Sequence, residues 1–306
     1  MLEGKVYLPG RELRLLALAA WLVLCPSGQE AGWAWSGPPV PEYLAGKGLK
    51  PDAAPIEIAD AFLGAPYRED GTLDENGRFT LFEHPDRVFP TPGLNCSGLV
   101  LAISRFLLGR NFTLAESQRD RLGDSGPDSP LGRNWDYGWD LILNLTDHAS
   151  RRVIMPDGHD RTLESATALT MRGFDLQDGS AWPAVLRRIK PENTYLATFS
   201  RPSGRVKAGI VHHHVAVLLA DGRDGVWMYQ TTHTSTRVIR FNLNSAPGLA
   251  LFRESFRPIG GGRIMLLIIE AAAGRSVPVR RGRAGFRPSP AGSGWTIPEE
   301  TESNGE

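Results

Sequence analysis

The chain has 306 residues, which is long enough for one large domain with a buried core. Lys+Arg and Asp+Glu each number 34, so the formal net charge is +0 and nothing in the charge balance argues for a nucleic-acid partner. Two cysteines, Cys25 and Cys96, are too few for a disulfide framework or for a zinc site built from several cysteines.

The first 34 residues have the features of an export signal. Three basic residues precede an apolar run over 15–24, which is too short to span a bilayer comfortably, and small residues at 32–34 offer a cleavage site. We therefore expect export to the periplasm or cell envelope and a mature chain without a transmembrane helix. Cys25 follows the apolar run as the lipidated cysteine of a lipoprotein would, so an anchored form stays open, as does an N-terminal helix packed on the domain.

Composition divides the remainder into three parts. Residues 35–55 contain a proline-rich stretch and are predicted to be a linker. Residues 56–270 carry the apolar periodicity of a folded domain. Residues 271–306 are rich in Arg, Pro, Gly and Ser, lack an apolar period, and are predicted to be a disordered tail.

Two helices are predicted in the first part of the domain. Apolar residues over 56–62 fall at helical spacing and stop at a glycine and a proline. Cys96 begins the second helix, because the apolar residues over 99–107 follow it at helical spacing and Gly109 ends the run. A cysteine in a first turn lies where free N–H groups and the helix dipole favour a thiolate.

Strands follow in a cluster. Residues 193–200 and 262–270 each read as a strand, and between them lies a hairpin whose turn is "DGRDG" at 221–225. Helices first and antiparallel strands afterwards predict an α+β fold rather than a doubly wound sheet.

Three consecutive histidines open the first strand of this hairpin. Regular alternation would place His212 and His214 on one face of the strand and His213 on the other. An H-x-H pair could hold zinc together with a third ligand, although the sequence has no HExxH motif and no paired cysteines to accompany it. The alternative is that one histidine acts as the base for a cysteine nucleophile.

Four motifs occur in an order that resembles the NlpC/p60 cysteine peptidases. They are "LGAPY" at 63–67, "NCSGLV" at 95–100, "IKPENTYLATF" at 189–199 and "HVAVLL" at 214–219. The resemblance implies a papain-like fold in which N-terminal helices, including the nucleophile helix, pack on a small antiparallel sheet. It covers about 56–110 and 186–268, which leaves 110–186 as an insertion.

The resemblance also implies roles for particular residues. Cys96 would be the nucleophile and His214 its base, with Tyr67 and Ser97 supporting the oxyanion. The third, polar residue falls near the end of the second hairpin strand. A five-residue turn would put Gln230 on the face of His214 and point His233 away, so Gln230 is the predicted orienting residue.

The predicted function is that of an exported bacterial thiol protease: a hydrolase that cleaves amide bonds of peptidoglycan peptides in the cell wall, without a cofactor or a metal. Three alternatives remain open at this point. They are an acyltransferase on the same Cys–His pair, a non-catalytic cell-wall-binding module, and a zinc-dependent hydrolase. The insertion contains the aromatic segment "NWDYGWD" at 134–140, which could line a substrate cleft or pack on the core.

Overall fold

The computed structural model describes residues 40–49, 53–126, 128–159, 161, 163, 166–258 and 262–272. The predicted export signal with Cys25, and all but the first two residues of the predicted tail, lie outside the described residues. The helices are α1 Glu42–Ala45, α2 Pro55–Ala61, α3 Cys96–Leu107, α4 Leu114–Ser117, α5 Tyr137–Thr146, α6 Trp182–Leu186 and α7 Ala246–Ser255. The strands are β1 Gly71–Leu73, β2 Phe79–Leu81, β3 Ser150–Ile154, β4 Phe174–Asp175, β5 Asn193–Pro202, β6 Ile210–Ala220, β7 Val226–Gln230, β8 Ile239–Asn242 and β9 Met265–Ala272.

The centre of the fold is an antiparallel sheet in the order β3-β9-β5-β6-β7-β8, and β4 also pairs with β9. A separate antiparallel pair, β1 and β2, lies beside the start of α3. Helices and antiparallel strands together confirm the α+β class. Within the part of the chain that is described, no helix is both long enough and apolar enough to cross a membrane.

Each face of the sheet packs against a different set of helices. Ala216 and Leu218 of β6 belong to an apolar cluster that also contains residues of α6 and α7. The neighbouring strand positions point the other way. On that second face Tyr229, which lies opposite Val217, donates a hydrogen bond of 2.7 Å to Asp60 of α2. Because α2 and β6 both contact α3, this second face is the one that carries the helix of Cys96.

The part of the insertion around α5 also packs on the second face. At Gly138 of α5 an added Cβ would lie 2.7 Å from Thr198 Oγ1 and 3.2 Å from Val215 Cγ1, so only glycine allows the helix to approach the sheet this closely. The N–H of His212 donates to the carbonyl of Trp135 at 2.7 Å, which ties the loop before α5 to β6. The insertion is therefore a structural part of the domain, and its tryptophans are buried.

Several predicted elements are confirmed. Helix α3 spans Cys96–Leu107, and Gly109 after it has a φ of 60°. The hairpin turn is 221–225, because Ala220 pairs with Val226 across it. Within the predicted linker 35–55 the structure has α1, whose Leu44 is fully buried.

Candidate functional site

Cys96 is the first residue of α3. Asn95 forms the N-cap, and its side-chain oxygen accepts a hydrogen bond of 2.8 Å from the N–H of Gly98. A Cβ at Gly98 would lie 2.1 Å from the carbonyl oxygen of Gly71, so the helix can begin here only with glycine at that position. The local sequence thus fixes both where the helix starts and how closely it meets β1.

The surroundings of the Cys96 thiol include groups that raise its pKa and groups that lower it. Residue 96 is partly exposed, but atoms crowd around its sulfur, and burial raises the pKa of the thiol. Hydrogen bonding from the backbone of Val215 and from Ser97 lowers that pKa, and the Ser97 hydroxyl lies 3.9 Å from Sγ. Because burial is the larger effect, the resting group is a neutral thiol that needs a base to become a nucleophile.

Two tyrosines approach Cys96 from different parts of the chain. The Tyr67 hydroxyl donates to the carboxylate of Glu69 in a short hydrogen bond. Burial and Glu69 raise the Tyr67 pKa, and Cys96 contributes to the same shift. Tyr137 comes from α5 of the insertion, and its hydroxyl is within reach of Ser97 and close to Cys96. Tyr67 and Ser97 therefore lie near the thiol as predicted, and Tyr137 joins them.

The three histidines of β6 do not alternate regularly. Phe199 of β5 pairs with His214 while Ser200 pairs with His212, so residue 213 is the extra residue of a β-bulge. The bulge leaves His212 and His214 on opposite faces of the sheet. The prediction that these two share a face is wrong, because it assumed an unbroken period of two.

His214 lies on the face away from α3. Its ring packs at 4.9 Å from Phe199 and 5.2 Å from Phe256, and burial lowers its pKa to about 3. Gln230 is beside it, as the hairpin register predicted, and supports its charged form. Since Phe199 and Phe256 belong to the α6–α7 cluster, the ring contacts of His214 give no support to its predicted pairing with Cys96.

His213 is the extra residue of the bulge. It lies two residues along β6 from Val215, whose backbone reaches the Cys96 sulfur. His213 is partly exposed and lines a cleft whose lining also includes the buried residues Asn95 and Ser97. All three histidines of β6 contribute to the lining of this cleft, and His213 is the one of them that is partly exposed.

His212 has a structural environment. Its ring lies 6.4 Å from Trp135 and 6.0 Å from Trp139, and Nε2 donates to the carbonyl of Ala168 at 3.0 Å. Burial lowers its pKa to about 4. Because His212 makes these contacts and lies on the opposite face of the sheet from His214, the two side chains do not form the H-x-H zinc site considered from the sequence. In the described ranges no group of three or more His, Cys, Asp or Glu side chains is arranged to hold a metal ion.

His233, the rejected alternative to Gln230, lies beyond the end of β7 and is exposed. Its ring meets that of Tyr67 edge-on, with centroids 5.9 Å apart. It therefore reaches the neighbourhood of Cys96 through Tyr67, on the other side of the sheet from Gln230. The predicted register of the hairpin was correct, but it placed Gln230 beside His214, which lies outside this site.

A cleft of about 300 Å³ adjoins the start of α3, where Asn95 and Ser97, the two neighbours of Cys96 in the chain, line it. One side is formed by the start of α3 and by Tyr137, and the other by β6 and the β5–β6 loop. Three arginines, Arg133, Arg201 and Arg205, line it, and Asp70 is the one carboxyl among its lining residues. Burial raises the pKa of Asp70 to about 6. The cleft therefore suits a ligand that carries negative charge.

Tyr137, His213 and the three arginines of the cleft are site residues that sequence reasoning missed. The aromatic segment at 134–140 was a signal, but nothing local distinguished packing from a role in the cleft. Both occur, since Trp135 and Trp139 are buried while Tyr137 stays partly exposed. No protein-family model, no curated protein and no solved structure matches the chain.

Proposed function

We propose that the protein is a cysteine hydrolase of peptide amide bonds, with Cys96 as nucleophile and His213 as general base. The observation that carries the proposal is the thiol at the first residue of α3, beside a cleft that is also lined by the one partly exposed histidine of β6. Motif order supports a papain-like arrangement of the kind found in the NlpC/p60 peptidases that the chain resembles.

The reaction would proceed in two stages. His213 takes the thiol proton, and the thiolate of Cys96 attacks the carbonyl carbon, so that a C–S bond forms and the π electrons move to oxygen. Free N–H groups at the start of α3 stabilise this oxyanion. Collapse breaks the C–N bond, His213 returns the proton to the leaving amine, and water then hydrolyses the thioester.

The charge of the cleft supports an acidic peptide as substrate. Arg133, Arg201 and Arg205 provide three guanidinium groups, which bind carboxylates well because their fork geometry matches two oxygens. A peptidoglycan peptide with free carboxylates meets this requirement. Export to the cell envelope, predicted from residues 1–34, would bring the enzyme to that substrate and is part of the same proposal.

Digestion of purified peptidoglycan, with mass spectrometry of the fragments, tests the proposal. We expect the wild type to release new peptide fragments and Cys96→Ser to lose at least about three decades of rate, because a hydroxyl is a far poorer nucleophile. Transfer of the acyl group to an added amine instead of water would identify an acyltransferase. Near-normal turnover by Cys96→Ser would overturn the cysteine mechanism.

The two histidines provide the matched comparison. His213→Ala should lose about two to four decades of rate, the range for a general base. His214→Ala should keep its turnover per folded molecule, since its ring lies on the other face of the sheet. The reverse result, measured on variants whose folding is checked by circular dichroism, would restore His214 as the base.

A further inference from the structure

The two tyrosines beside Cys96 differ in the hydrogen bonds that their hydroxyl groups form. The Tyr67 hydroxyl donates to the carboxylate of Glu69. An oxyanion would have to compete with the Glu69 carboxylate for the Tyr67 proton. The negative charge of Glu69 would also repel an oxyanion at that place. Tyr67, the tyrosine that the family resemblance selects, is therefore a poor oxyanion donor in this chain.

Tyr137 has a different setting, because its hydrogen bond with Ser97 lowers its pKa, which is the effect of a donor to the phenol oxygen. Its hydroxyl is within hydrogen-bonding reach of the Ser97 hydroxyl, which in turn lies 3.9 Å from the Cys96 sulfur. The side chain lines the cleft, and Phe82 packs edge-on against its ring with centroids 6.5 Å apart. Burial raises the pKa of Tyr137 above its ordinary range, so the hydroxyl keeps its proton.

The backbone that carries Tyr137 is held firmly. Gly138, the next residue, lies against Thr198 and Val215 of the sheet, closer than any other side chain would permit. The carbonyl of Trp135 accepts a hydrogen bond of 2.7 Å from the N–H of His212. A donor on such a support is preorganised, which is what makes an oxyanion donor effective.

We propose that Tyr137 is a catalytic residue whose hydroxyl donates a hydrogen bond to the oxyanion that forms when Cys96 attacks a carbonyl. The inference rests on the proposed function and extends it to a residue of the insertion. The thiolate forms the C–S bond, the carbonyl oxygen gains the negative charge, and the Tyr137 O–H stabilises that charge without transferring its proton. Collapse of the intermediate restores the carbonyl and releases the hydrogen bond.

Two reagents for Cys96 separate this role from simple support of the thiol. Acylation by p-nitrophenyl acetate passes through an oxyanion, with p-nitrophenolate as the leaving group. Alkylation by iodoacetamide displaces iodide directly and forms no oxyanion. Both need the thiolate, so the ratio of their rates reports on oxyanion stabilisation alone.

We expect Tyr137→Phe to slow the acylation burst by about 100-fold, the cost of losing one oxyanion donor, and to leave alkylation within about two-fold. Tyr67→Phe, the matched control, should change the ratio of the two rates by less than about three-fold. Ser97→Ala, which removes the neighbour of the Tyr137 hydroxyl, should give a smaller loss of acylation than Tyr137→Phe. Thermal melting checks that each variant is folded.

Three outcomes would overturn the proposal: an unchanged acylation rate in folded Tyr137→Phe, an equal loss in both reactions, or a larger loss in Tyr67→Phe. If Tyr137→Phe fails to fold, Ser97→Ala decides, and an unchanged ratio there would contradict the proposal. If the wild type is acylated but does not digest peptidoglycan, the proposed substrate is contradicted. The ratio of acylation to alkylation rates still decides on Tyr137 in that case. A wild type whose Cys96 reacts with neither reagent would contradict both.

Discussion

His214 is a neutral histidine in an apolar environment. Its side chain is 5% exposed between Phe199 and Phe256, and its Nε2 makes no hydrogen bond within the described residues. Burial is the first cause of its lowered pKa of about 3, with His213 adding to the shift and Gln230 opposing it. Protonation of this ring would put an unpaired charge into the core.

The acid stability of the protein should therefore depend on His214. Its folded pKa lies below the unfolded value near 6.5, so its contribution is present above pH 6.5 and is lost as the pH falls toward 3. Between pH 7 and 4 the loss should be about 3 kcal/mol. His214→Leu should remove this part of the difference, as measured by urea unfolding at both pH values. The same difference in wild type and variant would contradict a buried neutral ring.

The start of α3 shows which parts of the site are encoded locally. Within four residues the sequence provides the helix cap at Asn95, the nucleophile at Cys96 and the close approach to β1 at Gly98. The sequence pattern predicted the helix boundary correctly. The turn at 221–225 is equally local, and the register of β6 with β7 followed from it.

The β-bulge at His213 is encoded differently. It arises where β6 pairs with β5, a strand that ends eight residues before β6 begins, and where the insertion contacts His212. A period of two along β6 alone cannot reveal it. The choice between His213 and His214 therefore required the tertiary structure, although the choice of strand did not.

The cap of α3 can be tested at the scale of the element. Asn95→Ala removes the acceptor for the Gly98 N–H and should lower the free energy of unfolding by about 1 kcal/mol. Asn95→Asp retains the acceptor and should keep the stability. The added carboxylate should, however, raise the thiol pKa and slow alkylation of Cys96 at neutral pH, because it places negative charge beside the thiolate. Denaturant unfolding and iodoacetamide kinetics would measure the two effects separately. Equal stability of all three proteins would contradict the capping role.

At the scale of the whole molecule, the sheet separates a structural layer from a functional one. Helices α6 and α7 bury an apolar cluster on one face, whereas α3 and the α5 segment of the insertion line the cleft on the other. Composition and element order were sufficient to predict the α+β class. They could not place the insertion, because its contacts with β6 join segments far apart in the sequence.

The insertion brings a buried acidic group to the start of α5. Asp136, at the N-cap position, is 0% exposed, and neither of its carboxylate oxygens makes a hydrogen bond within the described residues. Burial is the main cause that raises its pKa well above the usual range of a carboxyl; Asp140 of the same helix and Asp124 of the preceding loop add to the shift, and Ser125 opposes it. Asp140 is itself buried, which raises its pKa to about 7, and it faces Asp120 and Arg121.

Above neutral pH this group should destabilise the whole domain. A carboxyl whose folded pKa is raised stabilises the fold below its unfolded pKa near 4, and this contribution is lost as the pH rises through the folded pKa. From pH 6.5 to 8 the free energy of unfolding should fall because of Asp136, by at most about 1.4 kcal/mol per pH unit, the limit for one ionising group. Asp136→Asn, which keeps the shape and cannot ionise, should flatten this decline and exceed the wild type in stability at pH 8. Asp86→Asn, at an exposed position, should retain the decline. Urea unfolding across this range decides the matter: a decline that persists unchanged in Asp136→Asn would show that the start of α5 already accommodates the charged carboxylate.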